Sequence, residues 1–222
     1  CIGPAPARDS YLDMRAILSA AVLTGAEAIH PGYGLLSENA RFARLCAECG
    51  IVFIGPAAEV IERMGDKDEA RRTMRAAGVP VVPGCDIVKT EEEAITAARE
   101  IGFPLLVKAR SGGGGRGIRL VAQEDALIPA YLAATSEAAS AFGDGAVYLE
   151  KFLSPVKHIE MQLLCDNFGC VVCLGERECS MQRKNQKMIE ESPSPAVDAA
   201  LRAAMMEAAM KAARAVDYRG AG

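Results

Sequence analysis

Three features of the amino-acid sequence predict an α/β fold. Short apolar runs, Ala28-Ile29 and Ile51 to Ile54, alternate with longer segments of helical apolar period. Loops punctuated by glycine and proline separate them, in a chain with 21 glycines and 11 prolines. The strand–loop–helix unit recurs, which implies a parallel sheet.

The first helix is expected over Tyr11 to Leu23, where Leu12, Ile17, Leu18, Ala21 and Val22 share a stripe and Gly25 closes it. His30-Pro31-Gly32-Tyr33-Gly34 must be a loop, and Ser37 is the expected cap of the next helix, which runs to Gly50. Asp66, with Glu69 three residues on, opens another helix that Gly78 stops. Thr90 repeats that signal, and Gly102 ends the helix. Strands are expected at Val79 to Val82, Pro104 to Ala109 and Ile118 to Val121. After a helix over Asp125 to Phe142, further strands follow at Val147 to Phe152, His158 to Leu164 and Cys170 to Leu174. Asp166-Asn167-Phe168-Gly169 turns between the last two. An alanine-rich helix fills Ala196 to Val216, and Gly220-Ala221-Gly222 reads as a turn. The organisation is an α/β segment to residue 62, a helical connector over 63–80, a β-rich part over 81–153 and an unfinished α+β part over 154–222. There is no internal repeat and no low-complexity linker.

Composition narrows the function classes. The chain has 222 residues, half of them hydrophobic, enough for a sizeable core in one or two domains. With 29 acidic and 25 basic residues its net charge is −4, and no Lys/Arg run occurs. Neither nucleic acid nor an anionic membrane is an expected partner. No uncharged apolar stretch is long enough to span a bilayer. The sequence begins at Cys1 with no signal-peptide pattern after it. Eight cysteines in a chain of this size read as reduced thiols, so a cytoplasmic location is expected. The pairs Cys46/Cys49 and Cys170/Cys173 are 120 or more residues apart and read as inert thiols rather than a zinc site.

The strongest local feature is Ser111-Gly112-Gly113-Gly114-Gly115-Arg116-Gly117. Consecutive glycines leave backbone N–H groups open to close approach by an anion. The run leads into a strand, so it is neither a dinucleotide fingerprint nor a P-loop. It reads as a flap that can close over phosphates, or as a plain surface hairpin. Lys108 ends an otherwise apolar strand, where a charge needs a partner such as a phosphate or must face water at an edge. Lys67 sits in the first turn of a helix, which disfavours a cation; an ordinary exposed lysine is the simple alternative. Glu150-Lys151-Phe152-Leu153 ends a strand whose backbone can read a purine edge while Leu153 covers its face; a surface Glu-Lys pair is the alternative. His158, Glu160 and Gln162 share one strand face, lining either a cavity or a solvent-facing surface. Ser180 to Lys187 is dense in polar and basic groups, suited to a small anion such as bicarbonate or phosphate, or to a solvated loop.

In this order, these phrases resemble the biotin carboxylase family of the ATP-grasp superfamily. The resemblance is carried by Cys1-Ile2-Gly3-Pro4-Ala5, by Ala28-Ile29-His30-Pro31-Gly32-Tyr33-Gly34 with Leu36-Ser37-Glu38-Asn39, and by Phe53-Ile54-Gly55-Pro56 and Met64-Gly65-Asp66-Lys67. Lys108 with its glycine run, Glu150-Lys151, His158 to Gln162, Cys179 to Arg183, Gln186-Lys187 and Tyr218 to Gly222 complete it. It implies a partial Rossmann-like N-terminal domain and an incomplete ATP-grasp fold with a β-rich lid and an unfinished α+β subdomain. By matching position it implies that Lys67 contacts nucleotide phosphate. Lys108 would hold the α- and β-phosphates under the amides of Gly114 and Gly115. Glu150, Lys151 and Leu153 would contact adenine, and His158 and Gln182 ribose or phosphate. Lys187 would stand beside bicarbonate near the γ-phosphate as the catalytic group. Asn185 stands where one common family version has His.

The implied reaction is ATP-dependent carboxylation of biotin on a carrier protein, with bicarbonate attacking the γ-phosphate to give carboxyphosphate. ATP, Mg²⁺ and carried biotin are the implied cofactors and substrates. ATP, bicarbonate and a biotin carboxyl carrier protein are the implied partners, while a carboxyltransferase and dimerisation of the full-length parent stay open. The resemblance places a first strand before Cys1, and the Mg²⁺ carboxylates after Gly222. The chain is therefore expected to be an incomplete fragment that binds nucleotide weakly and does not turn over alone. Two other readings compete: a carbamoyl-phosphate synthase-like ATP-grasp ligase, and a non-catalytic nucleotide-binding module.

Overall fold

Helix starts in this chain are set by side chains that satisfy otherwise unpaired N–H groups. Asp13 accepts from the amides of Arg15 and Ala16, Asp66 from Asp68 and Glu69, Thr90 from Glu93, and Asp198 from Leu201. At Thr90 the box is shifted: Glu93 Oε2 accepts from the Lys89 amide at 2.7 Å. The computed structural model describes residues 1–110, 117–183 and 186–222. Its elements are α1 (Met14–Thr24), β1 (Ala28–Ile29), α2 (Ala40–Glu48), β2 (Val52–Phe53), α3 (Ala58–Gly65), α4 (Lys67–Ala76), α5 (Glu91–Ile101), β3 (Leu105–Ala109), β4 (Ile118–Val121), α6 (Leu127–Phe142), β5 (Val147–Lys151), β6 (Ile159–Cys165), β7 (Val171–Arg183), β8 (Gln186–Glu191), α7 (Ala199–Ala215) and β9 (Gly220–Ala221).

The chain forms two compact units, neither of them continuous in sequence. The first holds Cys1–Val79, Glu160–Arg177 and Ser192–Gly222; the second holds Pro80–Ile159 and Glu178–Glu191. In the first, β1 and β2 pair in parallel, Ala28 with Val52 and Ile29 with Phe53. Leu18, Ala21, Leu36, Phe42, Cys46 and Ile51 bury one face of this sheet and its helices. Phe42 meets Phe53 edge to face at 6.1 Å, a geometry that aromatic quadrupoles favour. In the same unit β6 lies between β7 and β9, and α7 is tied to β7 through Arg202 and Glu176.

In the second unit β3 is the centre of an antiparallel sheet ordered β4-β3-β5. Its strand alternates: Leu105, Val107 and Ala109 are buried, whereas Leu106 and Lys108 point to the other face. The buried face packs with Val121, Val147 and Leu149 against Ala94, Ala98, Leu127, Tyr131 and Ala134 of α5 and α6. Each full burial of a Leu or Val there contributes about 1.5–3 kcal/mol. That core holds the opposite face of the sheet in place.

Several expectations are corrected. Asn39, not Ser37, caps α2, its side chain accepting from the Phe42 amide at 2.9 Å. Val79 to Val82 is not a strand: Pro80 and Pro83 remove ladder donors, and the segment makes only isolated bridges further on, at Gly84 and Val88. Helix α3 and strand β8 were not expected, and Gly220-Ala221 pairs as β9 instead of turning. Gly112 to Arg116, with Gly114 and Gly115, and Lys184 and Asn185 lie outside the described residues.

Candidate functional site

Directly opposed residues in an antiparallel pair share a face. The register Leu106↔Leu120, Lys108↔Ile118, Leu106↔Glu150 and Lys108↔Tyr148 therefore puts these six side chains on one face of the β4-β3-β5 sheet. It is the face away from the helical core. Lys108 Nζ donates to Glu150 Oε1 at 3.0 Å and lies 5.9 Å from the centre of the Tyr148 ring. Ile118 and Leu120 are exposed beside them. Charge flanked by open apolar surface suits a ligand with an anionic end and a flat apolar end.

The hairpin beneath is built for a close approach. The Ala109 amide donates to the Gly117 carbonyl at 2.8 Å, and Gly117 has φ +70°. A Cβ at Gly117 would sit 2.7 Å from that of Ala109, so only glycine fits there. The seven residues of the glycine-rich run thus end on a fixed backbone position one residue from Lys108.

The neighbouring Lys151 points the other way. Its ammonium donates to the carbonyls of Gly102 at 3.1 Å and Phe103 at 2.8 Å, where α5 ends. A cation there complements the helix dipole. Its side chain is thus occupied structurally, leaving backbone as what Lys151 can offer a ligand. Leu153 is about half exposed just beyond β5. The His158 amide donates to Ser180 Oγ at 3.0 Å and its carbonyl accepts from Cys179, while its imidazole side is exposed. Gln182 of β7 donates to the Cys179 carbonyl at 2.9 Å and lies directly opposite Lys187 of β8. Arg183, Gln186, Lys187 and Met188 line a cavity of about 330 Å³. The structure thus brings Lys108 together with Glu150, and Gln182 with Lys187. Lys67 opens α4 in the first unit, exposed at its first position.

The polar strand face read at Glu160 and Gln162 is taken up internally. Arg177 donates to Glu160 Oε1 at 2.8 Å and to Gln162 Oε1 at 2.9 Å. Cys46 is core, with burial foremost pushing its thiol pKa up, and Cys49 is exposed at the end of α2.

Sequence reasoning assigned no role to one cavity of the first unit. It measures about 470 Å³ and is lined by the His30 to Tyr33 loop, Glu38, Ile54 to Pro56, Met64 and Tyr218, among others. Burial, then Cys165 and Glu38, raise the Tyr218 phenol above its ordinary pKa, so it stays a neutral donor, here to the Ala221 carbonyl at 3.0 Å. The signal available was positional: both loops follow the carboxyl ends of parallel strands, where α/β sheets hold ligands.

A sheet face pairing a lysine with a glutamate, next to the strand end where a glycine-rich run begins, fits a fold of the ATP-grasp type. Known proteins agree. Residues 66–222 match the family model described as carbamoyl-phosphate synthase L chain, ATP binding domain, and residues 1–61 match that of the biotin carboxylase N-terminal domain. The chain belongs to this ATP-binding family and, within it, to the biotin carboxylases. It is 53% identical to biotin carboxylase 1 of Bacillus subtilis over 223 aligned residues, all of this chain and 50% of that protein. A Campylobacter jejuni biotin carboxylase, solved as a β,γ-ATP complex, superposes with a TM-score of 0.89 at 50% identity, covering 100% of this chain and 50% of that one. The biotin carboxylase domain of Hydrogenobacter thermophilus 2-oxoglutarate carboxylase, a dimer with MgADP, ADP and bicarbonate, gives 0.84 at 50% identity, over 96% of this chain and 47% of that one. The chain spans about half the length of the curated relatives it matches. Among the described residues no helix is long and apolar enough to cross a membrane.

Proposed function

We propose that this chain supplies the nucleotide-holding part of a biotin carboxylase, an ATP-dependent ligase that carboxylates carrier-protein biotin with bicarbonate. The observation that carries this is Lys108 on the open sheet face, one residue from a glycine-only hairpin junction. Its ammonium meets the α- and β-phosphates, and the amides of Gly114 and Gly115 close over them. The strand end from Glu150 to Leu153 reads the adenine edge, with Leu153 against the ring. His158 and Gln182 serve ribose or phosphate, and Lys67 adds a phosphate contact.

Lys187 is the catalytic group: it draws bicarbonate toward the γ-phosphate and offsets the repulsion between two anions. Met188 and Arg183 line the same cavity as Lys187, which has room for such an ion together with water. Mg²⁺ bound with the nucleotide would neutralise phosphate charge; no residue of this chain is assigned to it. Biotin arrives on a carrier protein or domain, in the cytoplasm.

Calorimetric titration with MgATP tests the assignment on this chain and on Lys108→Ala. The variant is expected to bind more than tenfold more weakly, about 1.4 kcal/mol. Equal affinities would overturn the phosphate site. In the full-length protein, ATP cleavage that biotin fails to stimulate would overturn the biotin reading.

A further inference from the structure

The reading above gives Glu150 to adenine, yet its carboxylate is engaged with Lys108. We propose that the Glu150 side chain is a positioning residue for Lys108, holding the ammonium where phosphate must meet it; this rests on the nucleotide reading.

Leu106 lies opposite Glu150, and Lys108 opposite Tyr148, so Lys108 and Glu150 are diagonal neighbours on one face. Such pairs sit roughly 7–8 Å apart at the backbone, within reach of long side chains. The observed contact is 3.0 Å, with both side chains about one-fifth exposed, at 23% and 21%. Lys108 has four rotatable bonds, and its free arm would sweep a wide volume. Glu150 on one side and the Tyr148 ring below restrict it.

A carboxylate beside a phosphate-binding lysine lowers the local positive charge and by Coulomb's law alone weakens anion binding. Its presence on the same face therefore has to be offset by geometry. An ammonium carries three donors, and Glu150 takes one, leaving donors to turn outward to phosphate oxygens. Each side chain keeps part of its surface exposed, so a phosphate can reach the ammonium without breaking the pair. Adenine needs none of this, because a strand end can read a purine edge through its backbone.

The test is the ratio of ADP to adenosine affinity, measured by calorimetry on this chain with Glu150→Ala, Glu150→Gln and Lys108→Ala. Positioning of Lys108 concerns only the phosphates. Glu150→Ala is expected to weaken ADP about tenfold and adenosine less than twofold. Glu150→Gln keeps an acceptor oxygen and is expected to stay within threefold of the parent for ADP. In the Lys108→Ala background, Glu150→Ala is expected to change ADP affinity little. Equal weakening of both ligands would overturn the proposal in favour of an adenine role for the carboxylate. Unchanged ADP affinity, a Gln variant as weak as Ala, or an undiminished effect without Lys108 would also overturn it. A parent chain that binds neither ligand would instead refute the nucleotide reading itself.

Discussion

Two ion pairs in this protein use similar chemistry to opposite ends. In the first unit Arg202 grips Glu176 from α7: Nε lies 2.9 Å from both carboxylate oxygens, and Nη2 2.7 Å from Oε1. Nη2 also donates to the Val197 carbonyl and the Ser194 amide to Glu176 Oε1. Glu176 is only 3% exposed. In the second unit Lys108 and Glu150 share a single contact and keep a side open to solvent. The first pair is engaged through both Nε and Nη2 of Arg202 and ties α7 to β7. The second has donor capacity left over. Unsaturated charge on a rigid, well-packed sheet marks a ligand site better than charge itself.

This contrast can be broken at three points. The largest effect is expected from Arg202→Ala, which strands a buried carboxylate and lowers the thermal midpoint by about 10 °C without touching ADP affinity. The hydrogen bond from Arg202, chiefly, holds the Glu176 carboxyl below its usual 4.5. Because its folded-state value is depressed, the pair's stabilisation is full above pH 4.5 and is lost as pH falls through that lower value. Midpoints of parent and variant measured down a pH series should therefore converge in acid. Parallel curves would contradict the assignment.

Gly117→Ala comes next. It puts a side chain at φ +70° and a Cβ 2.7 Å from Ala109, costing roughly 2 kcal/mol in chemical denaturation. Unlike Arg202→Ala, it should also weaken ADP, because β4 shifts beside Lys108. A stability loss with intact ADP affinity would detach the hairpin from the site. The smallest effect is expected at Arg99→Ala. Arg99 pairs with Glu124 at 2.8 Å with both side chains more than half exposed. Screening by water should hold its cost below about 0.5 kcal/mol, with ADP affinity unchanged. A larger loss would show that exposure is a poor guide to what a pair is worth here.

What was legible in the sequence follows the same division between local and distant causes. Asp66 and Thr90 announced α4 and α5 because a cap acts within three residues. Lys108 announced itself as a charge in an apolar strand. Strand β8 did not, since Gln186 to Glu191 is exposed on both faces and needs no apolar alternation. Val79 to Val82 looked apolar enough for a strand, but the prolines at 80 and 83 outweighed that. The role of the Lys151 side chain was invisible because its acceptors lie 48 and 49 residues earlier. So was the Tyr218 cavity, whose walls come from three distant stretches of chain.

Glu150 and Lys151 are chain neighbours on opposite faces of β5, one set against an ammonium and the other against the carbonyl end of a helix. Sliding β5 by a single residue along β3 would exchange them. Two ammonium groups would then confront each other, and a carboxylate would face the negative end of α5. This dipeptide thereby doubles as a checksum on strand alignment. A misregistered sheet is penalised twice over, by the side chains of the protein alone.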